Sequence, residues 1–231
     1  MDKSSTRPRV TGRKREVVIA ADRFIYWLSR HWLAVFNVAV ALYVGVPFLA
    51  PVFMRAGLTG PAQVIYRVYH ALCHQLAFRS WFLFGQASHY PRGLFDQLTG
   101  IDTTAYPGLQ QAGEFIGNAQ LGYKVALCER DVAIYGALLA GGLMYALVRT
   151  RLPRLSLASF IAFCALPIAL DGLSQLFSQP PFNWLPYRES TWYLRTLTGA
   201  LFGLGLAWLA YPSIDASMRA TREQLSRRFG W

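Results

Sequence analysis

The amino-acid sequence predicts an all-α fold, a polytopic membrane helical bundle of about four transmembrane helices with one amphipathic, extracytoplasmic or interfacial helix. Hydrophobic residues make up 54% of the 231 residues and charged residues only 15%, whereas soluble domains carry about 25% charge. The charges flank four long apolar stretches, each close to the roughly 20 residues that a helix needs to cross a bilayer. The lower limit of that length is about 17 residues.

The four predicted spans follow from these apolar stretches. The first has no charged residue, contains Pro47 and Pro51, and follows a basic, amphipathic approach over 23–31. The third must continue through Asp171 to reach bilayer length, and Pro212 is predicted to end the fourth, because proline interrupts helical hydrogen bonding. The spans are residues 32–54, 132–148, 155–177 and 192–211.

The basic residues predict the orientation and the division of the chain. Segments 1–31, 149–154 and 213–231 together hold 15 Lys and Arg, and segments 55–131 and 171–195 hold the other 8. Loops rich in Lys and Arg stay in the cytoplasm, so we expect a multi-pass protein of the cell membrane with both termini cytoplasmic. The parts are a basic tail with its approach helix (1–31), a membrane domain (32–212) and a second basic tail (213–231).

Two further expectations concern these basic tails and the first apolar stretch. The net charge of +11 is explained by topology and attraction to anionic lipid, so no nucleic-acid partner is expected. The first apolar stretch is too long for a cleavable signal peptide and is interpreted as a retained anchor.

The outward-facing segment 55–131 is too long to be a bare connection. Within it, 62–84 is predicted to form an amphipathic helix that lies at the interface or packs on the bundle, and whether it crosses the bilayer stays open. Its apolar stripe would be formed by Ile65, Val68, Leu72 and Leu76. Short helices and turns are expected for residues 86–126.

Thiols, imidazoles and a carboxylate suggest a metal site on this segment. His70, Cys73 and His74 would share the polar face of the predicted helix, and Cys128 and Asp131 come just before the second span. Zinc prefers a tetrahedron of Cys, His or carboxylate ligands, so these five residues are candidate ligands and zinc is the candidate cofactor. A Cys73–Cys128 disulfide, unlinked thiols and ordinary surface histidines are the alternatives.

Ionisable residues at membrane depth suggest a second site. Asp171 and Gln175 share one face of the third span, and a charged group there normally faces a partner or a cavity. Arg195 is the predicted partner, because it aligns with Gly199 and Gly203 on a small-xxx-small seam that lets helices approach closely. Either an ion pair fixes the helix register, or an outward-facing polar pocket is present. The candidate binding residues of that pocket are Asp131, Tyr135, Gln175, Arg188 and Arg195, with Asp171 and Glu189 beside them.

Three ordered motifs resemble those of a known family. They are CHQ with RSWF (73–82), CERD with IYG (128–136), and DGLSQ with REST, an arginine and TG (171–199). These resemble the CHQ…RSFF, CxRCTGIYG and DGxxQ…RESTN…R motifs of an uncharacterised family of predicted bacterial and archaeal membrane proteins, a domain of unknown function. The resemblance covers about 69–212 and implies a multi-pass protein with its motifs gathered on one side, but no known activity.

Three departures from the family pattern bear on the chemistry. Asp131 replaces the family's second cysteine in CxRC, Trp192 replaces its asparagine, and an insertion separates the first two motifs. The lost cysteine removes any CxxC redox pair and weakens a thiolate metal site, although aspartate also binds zinc.

The functional expectation is an integral membrane protein of unknown activity with an outward-facing polar pocket. No G-x-S-x-G, H-E-x-x-H or P-loop motif occurs, so the favoured function is binding of a lipid, a solute or a partner. The expected partners are membrane lipids, another membrane protein or a second copy of the chain. The alternative is a membrane enzyme, metal-dependent in one version, acting on a lipid or isoprenoid-type phosphate at the outer interface. Its candidate catalytic residues are His74, Asp171 and Glu189, with Arg188 and Arg195 as anion clamps.

Overall fold

The structure, a computed structural model, describes residues 12–148, 154–179 and 181–230. Parts of the predicted basic segments, 1–11 and 149–153, therefore lie outside the described residues. The helices are α1 (Arg13–Arg55), α2 (Thr59–His70), α3 (Arg92–Thr99), α4 (Tyr106–Glu114), α5 (Glu129–Val148), α6 (Leu157–Phe160), α7 (Leu166–Phe177) and α8 (Trp192–Phe229).

Four of these helical segments are long and apolar enough to cross a membrane, which confirms the all-α membrane bundle. They are α1, α5, the third span Leu157–Phe177 and α8. In the third span a π turn, Ile161–Ala165, joins α6 to α7.

The second and fourth spans pack at unusually close range. A Cβ atom added at Gly203 would lie 2.2 Å from the carbonyl oxygen of Ile134, and one added at Gly199 would lie 2.9 Å from that of Arg130. Only glycine permits this approach, so the predicted small-residue seam is confirmed, and α5 is the helix that packs against it.

The two longest helices extend well beyond a bilayer at the basic end. α1 has 43 residues, roughly 64 Å at 1.5 Å per residue, against about 30 Å of hydrocarbon. The approach over 23–31 and the first span are therefore one continuous helix. α8 likewise continues to Phe229, so the prediction that Pro212 stops this helix is wrong.

Tertiary packing explains why α8 continues through its proline. Tyr211 and Pro212 are buried, and the Tyr211 hydroxyl donates to the carbonyl oxygen of Leu138 at 3.2 Å. One turn further on, the Trp32 indole donates to a carboxylate oxygen of Asp215 at 3.2 Å. These buried contacts offset the cost of a proline inside a helix, about 3 kcal/mol for the lost backbone hydrogen bond and the ring clash together.

The predicted helix over 62–84 is wrong beyond His70. A 3-10 turn, Ala77–Arg79, leads into β1 (Ser80–Leu83), which pairs antiparallel with β3 (Gly122–Cys128), and β2 (Gly117–Asn118) pairs with the other edge of β3. The expectation of short helices and turns for 86–126 thus missed the strands, although α3 and α4 are short helices. The sheet joins the first two motifs, because Ser80 lies opposite Cys128.

The buried face of α2 also differs from the predicted stripe. Val68 is 56% exposed and Leu72 60% exposed, whereas Tyr66 and Tyr69 are buried. Each tyrosine hydroxyl donates to a carbonyl oxygen, that of Lys124 at 2.6 Å and that of Tyr43 at 2.9 Å. Because their hydroxyls are satisfied, the large aromatic rings are buried in place of the smaller aliphatic side chains.

Candidate functional site

A network of ion pairs lies at the end of the bundle opposite the basic tails. Glu129 begins α5 and is 0% exposed, and Arg195 lies in the first turn of α8 and is 3% exposed. Arg195 Nη1 donates to Glu129 Oε2 at 3.0 Å, and its Nη2 donates to Glu189. The other oxygen of Glu129 contacts Nδ1 of His89. The buried guanidinium of Arg195 therefore contacts two carboxylates, and one of them, that of Glu129, also contacts the imidazole of His89.

Glu189, in the connection between the third and fourth spans, accepts hydrogen bonds from three further side chains. Arg79 approaches both of its carboxylate oxygens at 2.8 Å. Gln175 donates to it at 2.7 Å and Gln179 at 3.0 Å. A bidentate guanidinium is the strongest form of this contact, so the first motif is tied to the third through one carboxylate.

Asp171 belongs to a separate group of contacts. Arg130 Nη2 donates to it at 2.5 Å, Arg188 Nη2 at 2.8 Å, and the Ser190 hydroxyl lies 2.7 and 2.8 Å from its two oxygens. The predicted Asp171–Arg195 pair is therefore not formed. Arg130 takes that place, and its Nη1 lies 3.2 Å from where a Cβ atom on residue 172 would lie.

A cavity of about 910 Å³ lies over this network. Its walls include the aromatic rings of Phe78, Tyr106, Tyr187, Trp192 and Tyr193, and its polar lining includes His89, Arg92, Asp96, Glu189 and Arg195. Of the predicted pocket residues, Glu189 and Arg195 line the cavity, while Asp171, Gln175 and Arg188 hold the network beside it. Arg92 is itself held by hydrogen bonds to Thr103 and Tyr187.

Several residues of this site were missed by sequence reasoning, among them Arg92 and Asp96 of the cavity lining. Arg79, Glu129 and Arg130 stand inside the recognised motifs, so the motifs were the available signal, but no chemistry was assigned to them. His89 lies in the insertion, where a single histidine among Gly, Pro and Gln gives no signal.

A second group of polar residues lies elsewhere at the same end of the bundle. Cys73, Cys128 and Asp131 each offer one potential metal-binding atom, and these three atoms lie within 4.8 Å of one another. Asp131 therefore lies beside the cysteines, and neither it nor Tyr135 lines the cavity. The Tyr135 ring packs on that of Tyr43 at 4.4 Å between centroids.

The two thiols of this group differ in acidity. The hydrogen bond with Cys128 lowers the pKa of Cys73 below its ordinary value. The same contact, together with burial, raises the pKa of Cys128.

The two histidines predicted to share this face do not join the cysteines. α2 ends at His70, so the i, i+4 relation to His74 is lost, and both side chains are exposed. His70 instead lines a smaller cavity of about 340 Å³, which Lys124 also lines.

Lys124 is a buried cation without a carboxylate partner among the residues described. Its Nζ donates to the carbonyl oxygens of Gln75 at 2.7 Å and Gly113 at 2.6 Å. Burial lowers the pKa of Lys124 to about 7, because removing the ammonium from water disfavours its charged form.

Comparison with known proteins agrees with the motifs. Residues 119–209 match the family described as "Predicted membrane protein (DUF2085)". This match confirms the resemblance and includes the second and third motifs, while the first motif lies outside it. The chain is also 24% identical over 192 residues to an uncharacterized protein of Methanocaldococcus jannaschii, covering 80% of this chain and 93% of that protein. No solved structure matches.

Proposed function

We propose that this integral membrane protein lies in the cell membrane with both termini cytoplasmic, and that its outward end binds a lipid-type ligand with an anionic headgroup. The observation that carries the proposal is the cavity of about 910 Å³, with aromatic walls over an arginine-rich network. Binding cavities for small molecules usually measure about 300–1,000 Å³ and combine apolar walls with a few polar groups.

The depth of the cavity supports an amphiphilic ligand. Trp192 and Tyr193 line it and form the first turn of the fourth span. Aromatic rings in that position lie at the membrane–water interface. A ligand anchored in the bilayer would therefore reach the cavity without leaving the headgroup region.

The charges of the network support an anionic headgroup. The ion pairs of the two groups of contacts at this end join five arginines to three carboxylates, those of Glu129, Asp171 and Glu189. Of these arginines, Arg130 and Arg188 pair with Asp171 and do not line the cavity. Guanidinium groups bind phosphate in bidentate geometry, and Arg92 and Arg195 both line the cavity.

The orientation rests on the positive-inside rule and can be tested by cysteine labelling. Gln110 on α4 and Ser217 on α8 are exposed at opposite ends of the molecule. A maleimide that does not cross membranes should label Gln110→Cys on intact cells and Ser217→Cys only after lysis. The parent chain, which has neither added cysteine, gives the background labelling. The reverse pattern would refute the orientation.

Ligand binding can be tested by thermal unfolding in detergent. Added phosphatidylglycerol should raise the unfolding temperature more than the same concentration of phosphatidylcholine. Arg92→Gln should remove this difference, whereas Arg67→Gln, on the exposed face of α2, should retain it. Equal stabilisation by the two lipids, or equal loss in both variants, would contradict the proposal.

One contact favours a catalytic function as the second candidate. His89 lines the cavity, and its Nδ1 contacts the buried carboxylate of Glu129. A carboxylate that orients an imidazole is an arrangement used in general acid–base catalysis. We therefore place His89 in the role first given to His74, whose exposed side chain is not part of the cavity lining.

The other two catalytic candidates, Asp171 and Glu189, already accept several hydrogen bonds each. The enzymatic alternative predicts that the protein releases inorganic phosphate from vesicles containing an isoprenoid phosphate. His89→Gln should abolish this release, and His70→Gln should retain it. No release above that of heat-inactivated protein would reject this alternative.

A further inference from the structure

The first two motifs meet at a cluster of potential metal ligands. Cys73 lies in the irregular segment after α2, Cys128 ends β3, and Asp131 lies in the first turn of α5. Their ligand atoms nevertheless fall within 4.8 Å of one another. In a tetrahedral zinc site with Zn–S of about 2.3 Å, two sulfurs are separated by about 3.8 Å. The three donors are thus within about one ångström of the required spacing.

The carboxylate of this cluster has no ion-pair partner among the residues described. Three carboxylates at this end, those of Glu129, Asp171 and Glu189, each form an ion pair with an arginine. Within residues 12–148, 154–179 and 181–230, Asp131 has no such ion pair, and its backbone nitrogen donates a hydrogen bond to Cys128 Sγ at 3.5 Å. A carboxylate beside two thiols, with no paired cation, is an environment that a divalent cation stabilises.

We propose that Cys73, Cys128 and Asp131 bind one zinc ion. Two thiolates select a soft or borderline cation such as Zn²⁺ over Mg²⁺ or Ca²⁺, which prefer oxygen ligands. The fourth coordination position is left to a solvent molecule or another small ligand. His70 and His74 are not members of this site.

The position of the cluster indicates what the zinc does. It connects the segment after α2, the end of the central strand and the beginning of the second span. Glu129 and Arg130 lie between Cys128 and Asp131 in the chain, so the zinc would fix the backbone from which the ionic network starts. None of the three ligands lines the large cavity, so the zinc site does not depend on the proposed ligand binding.

The primary test is metal analysis of the protein purified in detergent without chelator. We expect about one zinc per chain, lost in Cys128→Ser and in Asp131→Ala. Two matched controls should retain zinc, Cys164→Ser in the third span and His74→Ala beside Cys73. Metal-free parent protein that takes up no added zinc, or a zinc content unchanged in Cys128→Ser, would overturn the proposal.

A cobalt experiment on folded protein separates loss of the metal from loss of the fold. The chelator-treated parent, reloaded with Co²⁺, should show thiolate-to-cobalt charge transfer, and so should Asp131→Cys, which supplies a third thiolate. Asp131→Ala should give a weaker spectrum or none. A parent spectrum without thiolate charge transfer would exclude the cysteines as ligands. A Cys73–Cys128 disulfide found by mass spectrometry in protein purified without oxidant would also overturn the proposal.

Discussion

The ion pair between Arg195 and Glu129 provides the sharpest test of the network. Arg195→Gln removes a guanidinium that is 3% exposed from a carboxylate that is 0% exposed. Removing one partner of a buried pair costs about 3–5 kcal/mol. We expect the lower half of that range, because Glu129 keeps its contact with His89 and Glu189 keeps its contact with Arg79.

A double-mutant cycle distinguishes this pairing from the one that the sequence suggested. Equilibrium unfolding in mixed micelles should give a coupling free energy of about 1–3 kcal/mol between Arg195→Gln and Glu129→Gln. Asp171 and Arg195 share no hydrogen-bond partner among the residues described. Arg195→Gln and Asp171→Asn should therefore add to within about 0.5 kcal/mol. Coupling to Asp171 as strong as that to Glu129 would refute the reasoning.

Three further predictions concern packing, hydrogen bonding and pH. Gly203→Ala should lower the free energy of unfolding by about 1–3 kcal/mol, because the added Cβ atom would meet the backbone of α5. In the same unfolding titration the control Gly136→Ala should be neutral or slightly stabilising, because nothing lies within 4 Å of its added Cβ atom. Ser190→Ala should cost about 1.5–3 kcal/mol through the lost hydrogen bond to the Asp171 carboxylate, and Ser217→Ala on exposed α8 much less. The pKa of Lys124 is lowered from 10.5 to about 7, so between these values the unfolded chain binds more protons and stability should rise with pH. Lys124→Met should flatten that rise in unfolding measured from pH 7 to 10, and an unchanged slope would show that Lys124 is not its source.

The four spans were predictable because each is encoded locally. An apolar stretch of bilayer length must form a helix, since no other open structure satisfies its backbone hydrogen bonds in lipid. The glycine seam was predictable for a similar reason, as Gly199 and Gly203 recur at helical spacing. The sheet was not predictable, because its main pairing joins β1 to β3, and the insertion separates these two strands in the chain.

The candidate site was predictable in its residue types but not in its pairings. Asp171, Glu189 and Arg195 were identified as polar residues in or beside apolar helices, and all three take part in the network. Which carboxylate meets which arginine depends on the rotation of α5 against α7 and α8. The observed cluster of potential metal ligands also differs from the predicted set. Because α2 ends at His70, neither His70 nor His74 joins the two cysteines.

By itself the sequence determined that the chain is a membrane protein and which four segments form helices long and apolar enough to cross a bilayer. These properties depend on transfer free energies and periodicity that each segment carries alone. The tertiary structure alone decided that Arg195 meets Glu129, that Asp171 meets Arg130 and Arg188, and that two cysteines meet Asp131. Such contacts join residues far apart in the chain, and their choice depends on helix rotation and close packing, which no single segment encodes.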